Sequence, residues 1–328
     1  MGEASEDCGP SKRGFPLPNP PPNWGRGFRC VSGQCFEMTR RLVLLAPGLG
    51  YLALFLVAPC LIIFAYSLFE RGTYGGIVYD ATLENYGRAA SSLFARIFLD
   101  SVRIAGTATL VALLIGYPAA YAIAQQPKNR QMALLVLVML PFWSNYLIRT
   151  YAWIVLLNNE GLINRSLEAA GVIDAPLPLL YNAFAIVLGL VYNYVPFVIL
   201  ALYSSISRLG PELREASFDL GGSAWTTFRR VTLPLTVPGI AAGAVFVFVL
   251  SIGNFVTPDL LGGGQRPMLG NLIYSQYLSA RDWPMGSALG FILVVIMLAL
   301  LFGQAILSAR ASGESEARIA PEPARAAA

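Results

Sequence analysis

Six apolar blocks, at approximately residues 42–69, 101–125, 132–157, 181–206, 238–258 and 285–308, each reach the ~20 residues that a ~30 Å hydrocarbon layer demands of a helix. Lipid offers no partner to an unpaired backbone N–H or C=O, so these blocks are predicted to be helices. The chain is 55% hydrophobic and 13% charged, against roughly 25% charged in an average soluble domain. The expected fold class is therefore all-α, a polytopic membrane protein with six transmembrane helices. Pro47, Pro59, Pro118, Pro141 and Pro196 fall inside the blocks and mark candidate kinks, which membrane helices tolerate.

Outside the blocks the composition changes. Residues 1–38 are rich in Pro, Gly, Ser and charge, including Phe15-Pro-Leu-Pro-Asn-Pro-Pro-Pro-Asn23, and read as a disordered N-terminal tail. Met38-Thr-Arg-Arg-Leu itself reads like a chain start, so residues 1–37 are expected to be an upstream extension. Residues 39–311 form the transmembrane domain, and 312–328 read as a disordered C-terminal tail. Lys and Arg set orientation by gathering on the cytoplasmic side. Arg40, Arg41, Lys128, Arg130, Arg208, Arg214, Arg229, Arg230 and Arg310 lie close to helix ends on one side. Arg71, Arg88, Arg96, Arg103, Arg165, Arg266 and Arg281 are spread through longer loops on the other, among acids such as Asp282. The bias places both termini and the 207–237 loop in the cytoplasm. Outside, residues 83–99 mix apolar and basic positions, consistent either with a helix lying in the interface or with an ordinary packed loop helix.

Several chemistries are poorly served by this chain. It has no histidine, the commonest general base and metal ligand, and no clustered carboxylates, so a catalytic constellation is hard to assemble. Cys8, Cys30, Cys35 and Cys60 make no paired CxxC spacing, so no metal is expected, and Cys60 is expected to pack as a small hydrophobe. A net charge of +4 and loops clamped by membrane segments argue against a nucleic-acid partner. A secondary transporter would more typically carry mid-membrane acids and inverted repeats, and neither is evident.

The polar run 211–234 is the most ordered of the loops. Pro211 suits a first helical position, with Glu212 and Glu215 near the positive helix end, and Leu213, Ala216 and Leu220 form one apolar stripe. Gly221-Gly222 stops that helix, and Ser223 can cap a second one carrying Trp225 and Phe228 on one face. Pro234 and Pro238 are expected to end it and to aim the chain back into the membrane.

The spacing Glu215-Ala216-Ser217, Gly221, then Val231-Thr232-Leu233-Pro234 resembles the EAA loop of permease subunits of binding-protein-dependent ABC importers. It departs from that family's pattern in Ser217 for Ala and Val231 for Ile. Leu140-Pro-Phe-Trp-Ser-Asn-Tyr-Leu-Ile-Arg-Thr-Tyr-Ala-Trp153, with Asn158 to Asn164, Thr82 to Tyr86 and Phe255 to Gly263, is similar to the spermidine/putrescine-type branch. The resemblance spans about residues 39–310. It implies a MetI-like, type I importer fold and a transport subunit, not an enzyme. It also implies a bacterial inner-membrane location, a second permease subunit, ATPase subunits docked on the loop, and an external substrate-binding protein. The chain contains no GxxxxGK[ST] phosphate loop, so ATP and Mg would be held by the partner ATPase. The loop would act as a lever through Arg214, Glu215, Ala216, Ser217, Leu220, Gly221 and Pro234. Spermidine or putrescine is the expected solute, with an opine, ferric iron or sulfate as alternatives. Polar and ionisable residues in apolar blocks are costly and often functional, which makes Trp143, Asn145, Tyr146, Arg149, Tyr151, Asn193 and Asn254 transport-path candidates, beside Trp153 and Tyr194. Asp259 and Glu160, at outer helix ends, are candidate partners of Arg149 or cation guides.

Overall fold

The computed structural model describes residues 31–73 and 75–319. Helix α1 spans Val31–Ser67, and a short antiparallel hairpin follows, β1 (Phe69–Arg71) with β2 (Ile77–Ala81). Then come α2 (Glu84–Ala89), α3 (Ser92–Ala124), α4 (Lys128–Met139), α5 (Tyr146–Leu157), α6 (Leu162–Ala169) and α7 (Ala183–Ile206). The rest is α8 (Pro211–Asp219), α9 (Ala224–Thr227), α10 (Leu233–Ile252), α11 (Val256–Gly262), α12 (Leu269–Leu278) and α13 (Trp283–Ile319). Of the two tails, residues 1–30 and 320–328 lie outside the described residues, and residues 31–38 and 312–319 continue α1 and α13 as helix. Helix, once nucleated, propagates at one hydrogen bond per added residue, so a polar extension can follow an apolar segment.

Among the described residues, five helices are long and apolar enough to cross a bilayer, and α4 with α5 supplies a sixth crossing if the pair counts as one. Two of the predicted apolar blocks are interrupted, the first of them at Pro141, one of the candidate kinks. The block at 132–157 passes from α4 through a tight turn, Leu140–Trp143, and bends by 83° before α5. Ser144 is extended at ψ 155°, and the Asn145 side chain accepts from the Leu147 amide at 2.8 Å, which starts a new helix. The helix in the block at 238–258 ends at Ile252, and Gly253, Asn254 and Phe255 separate α10 from α11. At its other end the helix begins earlier than expected. Pro234 and Pro238 do not end the second loop helix, because a wide turn at Phe228–Thr232 carries α9 straight into α10. Pro234 sits directly after that wide turn, where the helical ladder changes step.

Residues 60–319 form one compact unit whose core is the packing of α3, α7 and α10. Lipid removes the usual hydrophobic drive between helices, so close backbone approach must replace it. A stripe of small residues on α3, Ala105, Ala108, Ala112 and Ala120, is fully buried with Leu190, Val198 and Leu202 of α7 in that core. On α10, Gly239 and Gly243 are four apart, and a Cβ on Gly239 would lie 2.3 Å from the Ser205 Cβ of α7. Only glycine permits that crossing.

One end of the unit is closed by the hairpin, α2 and the start of α13. Buried Asn85 donates to the carbonyls of Ser67 at 3.1 Å and Phe69 at 2.8 Å, so 84–89 packs as a loop helix, whereas 92–99 of the same stretch begins α3, which neither reading above expected. The Asp282 carboxylate is 1% exposed and meets Arg88 at 3.0 Å and Arg71 at 3.9 Å. Its second oxygen accepts from the Met285 amide at 3.1 Å, which anchors α13 to the same clasp. Cys60 is half-buried and free.

Candidate functional site

The two helix breaks meet directly, beside α7. Tyr146, the first residue of α5, meets Thr257 of α11 hydroxyl to hydroxyl. The Asn254 amide donates to the Tyr146 and Tyr194 hydroxyls, both at 2.7 Å, while its oxygen accepts from the Thr257 backbone at 3.0 Å. Tyr194 in turn donates to the Leu250 carbonyl near the end of α10 at 3.3 Å. A broken helix leaves carbonyls and amides without partners, and here side chains supply them.

Arg149 pins the bend between α4 and α5. Its Nη1 donates to the Pro141 carbonyl at 2.8 Å, and its Nε donates to the Asn193 oxygen of α7, also at 2.8 Å. The guanidinium lies 5.6 Å from the Phe142 ring centroid and 5.7 Å from that of Tyr146, within cation–π range. Arg149 is 8% exposed and, among the described residues, has no carboxylate partner. The sequence offered Asp259 and Glu160 for that role. Asp259 is exposed on α11, and Glu160 lies 3.7 Å from Arg165. The cation is instead held by a carbonyl, an amide and two rings. The Nδ2 of Asn193 is buried with no hydrogen-bond partner, an open donor beside the node.

Of the path candidates, Tyr146, Arg149, Asn193 and Asn254 come together in this node, and Tyr194 joins them. Asn145 is exposed and caps α5, while Trp143 and Tyr151 are exposed on the subunit's surface. Trp153 packs edge-on against Tyr192. Thr257 was missed. Its only local signal is its place three residues after Asn254 at the head of a short helix, an Asn-led start that hydropathy cannot register.

The second element is the loop 207–237. α8 starts at Pro211 and ends in a glycine cap: Gly221 has φ +78°, its N–H donates to the Phe218 carbonyl and that of Gly222 to the Ser217 carbonyl, both at 2.9 Å. The Ser217 hydroxyl bonds that of Thr227 at 2.8 Å, tying α8 to α9. Ser223 accepts from the Thr226 amide at 3.2 Å, which caps α9 as the sequence predicts. The rings of Trp225 and Phe228 stack at 5.6 Å, and Phe228 sits edge-on to Tyr117 and Tyr121 of α3. One side of the element is thus fastened to the bundle. The other presents Leu220, 89% exposed, and Phe218, Glu215, Ala216 and Pro234 are exposed as well, while Leu213 lines the bundle side of α8. Arg214 is half-buried on the bundle side of α8.

Residues 132–313 match the family model described as "Binding-protein-dependent transport system inner membrane component". The chain is 42% identical over 254 residues to the spermidine/putrescine transport system permease protein PotB of Haemophilus influenzae, covering 77% of this chain and 88% of that one. It is 40% identical to PotB of Escherichia coli over 76% of this chain and 90% of that one. The inner membrane ABC transporter permease protein YdcU of Escherichia coli is 32% identical over 78% and 88%. Among solved structures, a bacterial alginate ABC transporter in complex with a periplasmic protein bound to alginate pentasaccharide superposes with a TM-score of 0.68 at 18% identity. That match covers 85% of this chain and 97% of that chain, a likeness of fold.

Proposed function

The chain belongs to the family of binding-protein-dependent transport system inner membrane components, and from that premise we propose that it imports spermidine or putrescine across a bacterial inner membrane. It is a multi-pass membrane protein and a transport subunit of an ABC importer, not an enzyme. In this reading both termini and the 207–237 loop face the cytoplasm. A second permease subunit completes the path, a binding protein delivers solute from outside, and separate ATPase subunits hold ATP and Mg. The observation that carries the reading is the capped, outward-facing element at 211–234 in a chain without a phosphate loop of its own. A lever with no motor needs a partner that has one.

The polyamine assignment rests on the kinship to PotB. The node at the helix breaks is compatible with it. Phenol and amide oxygens and ring faces accept ammonium groups, and Arg149 is engaged by Asn193, Pro141 and two aromatic rings. Trp143, Asn145, Tyr151 and Asp259 lie on the subunit's surface and would touch solute only along a path shared with the second permease. The test is uptake of labelled spermidine into proteoliposomes holding the assembled transporter and its binding protein. ATP-dependent accumulation, competed by unlabelled putrescine, is expected. Uptake that ignores both polyamines would end the substrate assignment.

A further inference from the structure

At the foot of the bundle, beneath the 207–237 loop, lies a cavity of about 370 Å³. Its walls come from the end of α3, the start of α4, the end of α7 and the bundle side of α8. Two cations line it, Lys128 and Arg214, and no acid does. Neither makes an ion pair or a side-chain hydrogen bond among the described residues. Gln131, between them, is already engaged. Its amide donates to the carbonyls of Ala124 at 3.1 Å and Gln126 at 2.7 Å, and its oxygen accepts from Tyr203 at 2.8 Å. Glu212, the acid in the first turn of α8, folds back over Gly210 and stays outside the lining.

Charge and apolar surface are both present in this cavity. Tyr121 and Ile206, from the ends of two membrane helices, form apolar wall beside the two cations. Two unpaired cations without an acid favour an anion carrying several acceptor oxygens, and a cavity that opens on helix ends favours one attached to a lipid tail. Basic pockets between membrane helices at the cytoplasmic surface are a known setting for acidic head groups.

We propose that this cavity binds the phosphate of an anionic phospholipid, with Lys128 and Arg214 as its ligands. Because Lys128 opens α4 and Arg214 belongs to α8, the phosphate would bridge the membrane bundle and the loop that the proposed function uses as a lever. The binding claim does not depend on what the transporter carries, and rests on that reading only for the leaflet.

The test is native mass spectrometry of the assembled transporter, purified in mild detergent and given phosphatidylglycerol, phosphatidylcholine or inorganic phosphate as separate probes. Wild type is expected to retain one more phosphatidylglycerol than K128Q/R214Q. Each single substitution is expected to lower its affinity about fivefold, the effect of one cation near an acidic lipid surface. K128R is expected to restore retention. Raising salt to about 1 M should release the lipid from wild type, a readout that needs no variant and covers the case where a substitution spoils folding. Equal retention in wild type and double variant, salt-insensitive retention, or loss in K128R would overturn the proposal. So would occupancy by phosphatidylcholine, or displacement by millimolar inorganic phosphate, which would make free phosphate the ligand.

Discussion

Gly221→Trp is expected to leave the chain in the membrane and to abolish transport-coupled ATP hydrolysis. Gly221 closes α8 in a left-handed conformation, φ +78°, that costs an L side chain roughly 1–2 kcal/mol. No atom of the chain lies within 4 Å of a Cβ at this position, so no clash is built in at the backbone and the fold is expected to survive with that modest loss. The ring instead stands beside Leu220, the most exposed large apolar side chain of the loop. In a seated interface a wedge beside so exposed an apolar side chain removes a hot-spot contact, about 3 kcal/mol or ~100-fold in the coupled rate. Gly221→Ala carries the same backbone cost without the wedge and should keep most of the coupling. ATPase activity stimulated by loaded binding protein, measured in proteoliposomes for both variants, reads the difference. Full stimulation in Gly221→Trp would remove the lever role.

Asn254→Leu should damage stability and transport together. The side chain serves three partners: Tyr146, Tyr194 and the Thr257 backbone. Leucine has nearly the same volume, so the change deletes hydrogen bonds without opening a large cavity. Side-chain hydrogen bonds inside membrane bundles average about 0.6 kcal/mol and reach about 1.7. Three together, with two hydroxyls left short of a partner, amount to about 2–4 kcal/mol. That loss leaves the Tyr146–Thr257 contact as the remaining hydroxyl link and loosens α5 from α11 at the joint between the two broken helices, and uptake is expected to fall by about 100-fold. Thermal unfolding in detergent and uptake in proteoliposomes check the two halves of this prediction. A variant that melts and transports like wild type would reduce the node to incidental packing.

The contrast between these two sites explains what the sequence made legible. The 211–234 loop is built from local chemistry: a proline at a helix start, a glycine at a positive φ, a serine cap three residues from the amide it holds. Each acts within a few residues of itself, so spacing alone predicts it. The six apolar lengths are legible for a similar reason, because hydrocarbon thickness and backbone pairing act on every residue alike. The breaks inside two of them are legible only in Pro141, the candidate kink that falls in the turn of the first. Ser144, Asn145, Gly253 and Asn254 interrupt segments whose average hydropathy stays high, and averaging hides them. The partners that make the breaks tolerable lie far off in the chain: Asn254 and Tyr146 are 108 residues apart, and Arg149 and Asn193 are 44 apart. The individual residues of the node were conspicuous as polar groups in apolar blocks. Their meeting, and the inclusion of Thr257, depends on how α5, α7 and α11 pack. The Asp282 clasp was hidden in the same way, since its arginines come from the hairpin and α2, some 200 positions earlier.

The claim that the loop is driven by a separate motor is tested most directly at Leu220. This side chain is 89% exposed at the end of α8, so Leu220→Cys leaves the core untouched. The variant would be assembled with its ATPase and second permease, and cysteines would be placed in turn along the ATPase surface facing the membrane. A specific crosslink between Cys at 220 and one groove of the ATPase is expected, formed in the resting complex and changed in yield on addition of ATP. Absence of any crosslink to the ATPase, with the same cysteine open to a small thiol reagent in the intact complex, would contradict the account.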